Sequence, residues 1–271
     1  MKQLQLLLSI FAGLLLSVGA GWAGPLEDGE AAILRKDYAT AIQLYRPLAA
    51  QGNASAQSML GTLYGHGQGV PQNYTEAVKW FRLAAAQGNA PAQYDLGTMY
   101  SRGLGVPQDF SEALKWSRLA AAQGLAKAQY NLGWMYEEGQ GIPQNYAEAA
   151  KWYRLAAAQG NASAQSNLGS LYDDGRGVTR DYAEALKLFR LAAAQGDDAA
   201  QANLGSMYAN GHGVKRDYVR AYMWLSLSAT ANNPTVVKNR DIISRRLTQQ
   251  QIGHAQQLAR DCQQGNFKGC N

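Results

Sequence analysis

A segment of 36 residues recurs five times, and this repetition limits the possible folds more than any other feature of the sequence. A Leu-Gly dipeptide returns with no insertion or deletion, together with a glutamine, a tyrosine and a Gly-x-Gly pair. A fixed period of about 20 to 50 residues is typical of proteins whose units pack only against their neighbours. The dipeptides are Leu60-Gly61, Leu96-Gly97, Leu132-Gly133, Leu168-Gly169 and Leu204-Gly205. The units are 53–88, 89–124, 125–160, 161–196 and 197–232.

Each unit predicts two amphipathic helices joined by a glycine-rich turn. In the first helix, Ala56, Leu60 and Tyr64 have the i, i+4, i+8 spacing of one helical face. Gly61 lowers helix propensity by about 1 kcal/mol, so its return in every unit predicts a close approach of two helices. The Gly-x-Gly turn supplies residues that tolerate positive φ at the helix end.

The second helix begins at an Asn or Asp, which a Glu follows three residues later in the first four units, as in a capping box. The apolar positions of this helix predict its buried face, which in the first unit contains Tyr74, Ala77, Trp80 or Phe81, and Ala84. The tryptophans of the second helices are expected in the core, and they are Trp80, Trp116, Trp152 and Trp224.

Residues 1–23 have the features of a secretory signal peptide, with Lys2 at the start, an apolar run and small residues near the end. We expect cleavage, a mature chain that begins near Gly21 or Gly24, and a periplasmic or secreted location. The alternative is an uncleaved membrane anchor, but the apolar run is shorter than the roughly 20 residues that a membrane span requires. No membrane insertion is expected after cleavage.

The segments on either side of the repeats predict caps. Residues 24–52 share part of the repeat pattern and predict an N-terminal capping half-unit, and residues 233–271 predict a C-terminal helical cap. Cys262 and Cys270, the only cysteines, are expected to form a disulfide in an oxidising compartment. A redox-active or metal-binding pair is the alternative, although the spacing fits neither Cys-x-x-Cys nor a zinc site.

The repeat motif resembles the Sel-one-like repeat, a relative of the tetratricopeptide repeat, over residues 26–232. The matching pattern is Ala-x-x-x-Leu-Gly-x-x-Tyr, then Gly-x-Gly-Val, then Asp/Asn-Tyr-x-x-Ala-x-x-Trp and Leu-Ala-Ala-x-Gln-Gly, with departures at Phe110, Ile142 and Leu188. The resemblance implies an all-α fold, an α-α superhelix (solenoid) of tandem helix-turn-helix repeats. It also implies a non-enzymatic scaffold or adaptor, in exported bacterial proteins associated with envelope signalling, exopolysaccharide regulation or host interaction.

The third unit contains the strongest candidate binding residues. Trp134 stands where the other units have Thr or Ser, which predicts an exposed aromatic anchor in a concave groove. A row of asparagines follows the repeat, at a position where related tetratricopeptide repeats hydrogen-bond a ligand. The alternative is that this row only ties neighbouring helices together. The residues predicted to bind a protein or peptide partner are Tyr94, Asp95, Lys127, Tyr130, Asn131, Trp134, Asn167 and Asn203.

Catalytic chemistry is not indicated. His66 and His212 lie in or beside the glycine-rich turns at positions that vary among the units, which predicts solvent-facing side chains. We expect a monomer with no catalytic residue, no metal site, no cofactor and no nucleic-acid partner. The basic segment 215–246 is interpreted as a solvated helix face, with an acidic partner as the alternative. Two further alternatives are a β-lactamase-like protein, as described for cysteine-rich relatives, and a binder of peptidoglycan or polysaccharide.

Overall fold

The structure, a computed structural model, describes residues 24–228, 233–267 and 269–270. Over these ranges it contains fourteen α-helices and no strand, so the predicted all-α fold is confirmed. The predicted signal peptide, residues 1–23, lies outside the described residues. The helices are α1 (Pro25–Leu34), α2 (Tyr38–Ala50), α3 (Ala54–His66), α4 (Tyr74–Ala86), α5 (Ala90–Arg102), α6 (Phe110–Ala122), α7 (Ala126–Glu138), α8 (Tyr146–Ala158), α9 (Ala162–Asp174), α10 (Tyr182–Ala193), α11 (Asp198–Asn210), α12 (Tyr218–Ser228), α13 (Pro234–Ser244) and α14 (Gln249–Gln264).

The chain divides into two compact units, with the boundary between Ala92 and Gln93 inside α5. In the first unit, α1 packs on α2, α2 on α3 and α3 on α4. In the second unit, each helix from α6 to α12 packs on the next, and α12 also contacts α13 and α14. Consecutive helix pairs therefore stack in tandem within each unit, as expected for a solenoid.

In four of the five repeats the glycine of the first helix lies against an aromatic or apolar side chain of the second helix, and in the second repeat Gly97 faces Ser117. A Cβ atom on Gly61 would lie 2.6 Å from the ring of Phe81, and one on Gly133 would lie 2.7 Å from the ring of Tyr153. No side chain fits at such distances, so the close helix contact predicted from the recurring glycine is confirmed. The propensity cost of glycine is offset by the burial of the facing ring.

The tryptophans of the second helices correct the predicted core. Only Trp224 is buried, with 3% of its surface exposed, and the other three are half-buried: Trp80, Trp116 and Trp152. The residue after each of the three occupies the core position instead, as with Tyr153, which is 0% exposed. One residue along a helix turns the side chain by about 100°, and the ring that faces the glycine is the one that becomes enclosed.

Asparagine side chains cap first and second helices of the repeats. The side chain of Asn53 accepts a hydrogen bond from the backbone N–H of Ala56 at 2.9 Å, and Asn161 accepts one from Ala164 at 2.8 Å. Asn73 accepts from the backbone of Glu76 at 3.0 Å. The Glu76 carboxylate itself pairs with Lys79 at 2.8 Å. The second helices thus begin at Asn or Asp caps, and the Glu of the expected capping box forms an ion pair along the helix.

In the first, third and fourth repeats a buried glutamine joins three helical segments, whereas the side-chain nitrogen of Gln201 in the fifth repeat has no hydrogen-bond partner among the described residues. In the third repeat, Gln129 donates to the carbonyl oxygen of Ala121 on the preceding helix at 3.3 Å. Its own amide oxygen accepts from Gln159 of the following helix at 2.7 Å. Equivalent glutamine pairs occur at 2.7 to 2.9 Å in the neighbouring repeats, namely Gln87–Gln57, Gln123–Gln93 and Gln195–Gln165. These buried glutamine pairs link successive helices by hydrogen bonds.

The C-terminal segment closes the apolar end of the repeats. Ala255, Ala259 and Cys262 of α14 are buried in the same core as residues of α10, α11 and α12. Cys262 and Cys270 form the expected disulfide, with an S–S distance of 2.01 Å. The ring of Phe267, inside the loop that this disulfide closes, packs near Gly196.

Candidate partner-binding site

A cavity of about 390 Å³ in the second compact unit is lined by four of the eight predicted binding residues. It lies where α5, the turn after α5, the start of α6, and α7 come together. Its aromatic wall is formed by Tyr94, Phe110, Tyr130 and Trp134. The volume falls at the small end of the roughly 300 to 1,000 Å³ that is usual for ligand pockets. The cavity therefore has the size to enclose a side chain or a small molecule.

Trp134 and Tyr130 are held firmly by the cores next to the cavity. Trp134 is half-buried and packs against the buried clusters on both sides of α7, so the prediction of an exposed anchor is corrected. The ring centroid of Tyr130 lies 5.8 Å from that of Tyr153. Burial raises the pKa of Tyr130, and the nearby carboxylates of Asp197 and Glu137 add to this effect. Tyr130 therefore keeps its phenol proton at neutral pH and can donate a hydrogen bond.

The polar lining of the cavity contains one charged side chain among the described residues. Thr98, Ser101 and Gln108 have hydrogen bonds to backbone carbonyl oxygens, at 2.8 to 3.1 Å. Arg102 is exposed and lines the cavity, and no described residue forms an ion pair or hydrogen bond with its guanidinium group. The cavity thus combines an aromatic wall with a cation that is available to a ligand.

The predicted asparagine row ties neighbouring helices together. Asn131 donates to the hydroxyl of Ser117 at 3.2 Å, and Asn167 donates to the hydroxyl of Tyr153 at 3.0 Å. Asn203 donates to the hydroxyl of Ser170 at 3.4 Å. These bonds support the alternative that the side-chain amides of the asparagine row tie neighbouring helices together. Asn131 also lines the cavity, and its position is set by Ser117.

The eight predicted binding residues separate into two groups of four. Tyr94, Tyr130, Asn131 and Trp134 line the same cavity. The other four do not line it: Asp95 is half-buried, Lys127 is exposed, and Asn167 and Asn203 are half-buried in the row just described.

Sequence reasoning missed several residues of this cavity, and one of them had a recognisable signal. Phe110, Gln108 and Gln140 come from turns or from the start of a second helix, outside the helix face that was considered. Arg102 differs from its equivalents in the other units, which are His66, Glu138, Asp174 and Asn210. A position-by-position comparison of the units would therefore have selected Arg102 as it selected Trp134.

The boundary between the third and fourth repeats has a polar network that joins α7, α8 and α9. The Tyr153 hydroxyl donates to a carboxylate oxygen of Glu137 at 2.6 Å and accepts from Asn167. Burial, together with the hydrogen bond to Glu137, raises the pKa of Tyr153. One repeat further on, burial raises the pKa of Asp173, which lies 3.8 Å from the Nδ1 atom of His212.

Two kinds of feature were sought among the described residues, a cluster of metal ligands and a membrane-spanning helix. No group of three potential metal ligands occurs among the described residues. None of the described helices combines the length and apolar character of a membrane span. His66 is exposed, as expected, whereas His212 is half-buried and stacks on Tyr182 with ring centroids 4.3 Å apart. The side chain of His212 keeps 40% of its surface exposed, so it faces solvent in part, as predicted.

The basic segment makes mainly local contacts. Arg220 pairs with Asp217 at 3.5 Å, and Arg240 pairs with Asp241 at 3.1 Å. The guanidinium group of Arg246 lies over the ring of Tyr218, 5.4 Å from its centroid. These contacts support the interpretation of this segment as a solvated surface with short-range partners.

The tandem helix pairs, the capped second helices and the glycine contacts define a helical repeat protein of the solenoid class. The Sel1 repeat family model matches residues 23–53, 54–89, 90–125, 126–161, 162–197 and 198–233. The chain therefore belongs to the Sel1 repeat family.

Two solved structures illustrate the family likeness. A Sel1 repeat protein from Oxalobacter formigenes is 38% identical, with a TM-score of 0.75, and the match covers 80% of this chain and 87% of that one. The protein c5321, a protective antigen of uropathogenic Escherichia coli, is 28% identical with a TM-score of 0.52, over 88% of this chain and 67% of that one. No curated protein sequence matches the chain significantly.

Proposed function

We propose that this protein is an exported scaffold that binds a protein or peptide partner through the cavity lined by Tyr94, Tyr130, Asn131 and Trp134. Sel1 repeats typically mediate protein–protein interaction, and this solenoid fold is typically a non-catalytic scaffold. The observation that carries the proposal is the set of four aromatic side chains around one cavity. Tyrosine and tryptophan in well-packed pockets supply much of the energy of protein interfaces.

Export is part of the proposal because of two features at opposite ends of the chain. The Cys262–Cys270 disulfide is a bond that persists in oxidising compartments such as the periplasm. Residues 1–23 have the charge and apolar pattern of a signal peptide. A similar protein is a protective antigen of uropathogenic Escherichia coli, which supports a role in the envelope or in host contact. The role is that of a monomeric adaptor in envelope signalling, exopolysaccharide regulation or host interaction.

Site-specific photocrosslinking in the native cell tests this function. A photoreactive phenylalanine derivative is placed at Trp134, inside the cavity, and in a matched strain at the exposed Thr75 of α4. We expect the Trp134 derivative to capture a defined protein that mass spectrometry identifies and that the Thr75 derivative does not capture. Equal capture by both derivatives, or none by either, contradicts binding through the cavity.

An enzymatic function is the alternative with the simplest test. The cavity is lined by no histidine and no carboxylate among the described residues, which leaves it without an evident general base. We therefore expect purified protein to hydrolyse the chromogenic β-lactam nitrocefin no faster than the same protein after heat denaturation. Turnover above that background, co-purifying with the folded protein, contradicts the scaffold assignment.

A further inference from the structure

We propose that the cavity recognises one chemical pattern in its partner, an apolar ring side chain directly beside a carboxylate in a peptide. This inference rests on the proposed function, because it names the partner chemistry of the same cavity. The ring is enclosed by Tyr94, Phe110, Tyr130 and Trp134, and the carboxylate pairs with Arg102.

The aromatic wall selects a flat apolar group. Its four side chains come from α5, α6 and α7, so a ring that enters the cavity contacts aromatic groups from more than one helix. Offset or edge-to-face aromatic pairs contribute more than their buried area alone. Tyr130 and Trp134 are themselves held by packing against the adjacent cores. A rigid wall of this kind loses little conformational entropy when a ligand binds.

The charge in the cavity selects an anion. Arg102 is the one charged side chain in the lining that the structure describes, and no described group neutralises it. A guanidinium group can hold a carboxylate through two parallel hydrogen bonds, which an ammonium group cannot reproduce. A ligand with a carboxylate next to its ring would therefore satisfy both parts of the cavity together.

Comparison of the repeats shows that two positions at the α5–α7 boundary differ from their equivalents in other repeats. The position of Ser101 is held by Glu137 in the third repeat and by Asp173 in the fourth, and either carboxylate would repel an anionic ligand. The position of Ser117 is held by a large side chain in the other units: Tyr45, Phe81, Tyr153, Phe189 and Leu225. Small residues at both positions thus accompany the cationic, aromatic cavity between α5 and α7.

Short peptides of defined sequence test the proposal on the mature protein, with amide NMR shifts as the measure of weak binding. The first pair is acetyl-Gly-Phe-Glu-Gly-amide and its Gln analogue, and the second pair is acetyl-Gly-Phe with a free or an amidated C-terminus. We expect the charged member of at least one pair to bind about tenfold more tightly than its neutral partner. The pair that shows the difference identifies a side-chain or a C-terminal carboxylate as the source.

Variants of the protein test whether Arg102 is the residue that binds the carboxylate of the peptide. We expect Arg102→Gln to weaken binding of the charged peptide about tenfold while leaving binding of the neutral analogue unchanged, and Arg102→Lys to restore binding partly. The matched control is Arg35→Gln, because Arg35 is exposed and does not line the cavity. Circular dichroism establishes that each variant is folded. Equal losses for Arg102→Gln and Arg35→Gln, or for charged and neutral peptides, overturn the proposal.

Two outcomes separate this inference from the proposed function. If no peptide shifts the amide signals of the cavity at millimolar concentration, while the Trp134 photocrosslink still captures a protein, the ring-and-carboxylate pattern is wrong and partner binding stands. If an oligosaccharide of galacturonic acid binds the cavity and the peptides do not, the ligand is an acidic sugar and the peptide proposal is overturned.

Discussion

The boundary between the second and third repeats and the boundary between the third and fourth repeats have the same helix arrangement, but different side chains fill them. Between α5 and α7, small side chains at Ser101 and Ser117 accompany a cavity lined by aromatic groups and Arg102. Between α7 and α9, the equivalent positions carry Glu137 and Tyr153, which hydrogen-bond at 2.6 Å. The comparison indicates that two positions per unit can change the interior of a boundary, while the glutamine pair between helices recurs at both.

The largest effect is expected from removing a buried side chain at the boundary between α7 and α9. We expect Tyr153→Ala to lower the free energy of unfolding by about 3 to 5 kcal/mol, because it leaves a cavity and removes a partner from Glu137 and Asn167. Urea denaturation followed by circular dichroism measures the change. Trp152→Ala is the matched control, with an expected loss of about 1 to 2 kcal/mol because Trp152 is half-buried. Equal losses would show that Trp152 also serves as a core residue.

A change at the C-terminus should leave both boundaries intact. Replacing Cys262 and Cys270 by Ser is expected to lower the free energy of unfolding by about 2 to 3 kcal/mol, since the unfolded chain regains the entropy of a short closed loop. The same denaturation experiment measures it, and peptide or partner binding should be unchanged. Loss of binding in this variant would mean that the C-terminal segment supports the cavity from a distance.

Removing one aromatic side chain from the wall of the cavity should affect partner binding more than folding stability. We expect Trp134→Ala to weaken partner binding by about 1 to 3 kcal/mol, measured by isothermal titration calorimetry with the captured partner. Its effect on the free energy of unfolding should be smaller than that of Tyr153→Ala, because Trp134 is half-buried. Thr75→Ala, at an exposed position of α4, should change neither quantity. If Trp134→Ala destabilises the fold as much as Tyr153→Ala, the indole is structural.

The smallest effect is expected from adding a carboxylate to the cavity between α5 and α7. Ser101→Glu places in the cavity the carboxylate that the next repeat carries as Glu137. We expect it to weaken binding of the charged phenylalanine peptide about fivefold, because the new carboxylate competes for Arg102. Ser111→Glu, on the exposed start of α6, is the control for added charge. An unchanged affinity in Ser101→Glu would indicate that Arg102 does not hold the ligand.

The local structure could be read from the sequence because its causes lie within a few residues. The cap at Asn53 and the contact at Gly61 depend on short-range geometry that repeats in every unit. Four residues that line the cavity were among those predicted, because Tyr130, Asn131 and Trp134 share one face of α7 and Tyr94 repeats the position of Tyr130. Arg102 and Phe110 were missed, since they join the cavity only when α5, a turn and α6 are packed beside α7.

By itself, the sequence determined the helix pairs, their caps, the stacking of units and the pairing of Cys262 with Cys270, because a strict period and local capping chemistry leave few alternatives. Only the tertiary structure decided which ring of each second helix is enclosed, and that the asparagine row bonds to neighbouring helices. It also decided that one boundary holds a cavity. The physical reason is that these outcomes depend on contacts between helices, where one helical position changes the direction of a side chain and one small residue changes the space left for another.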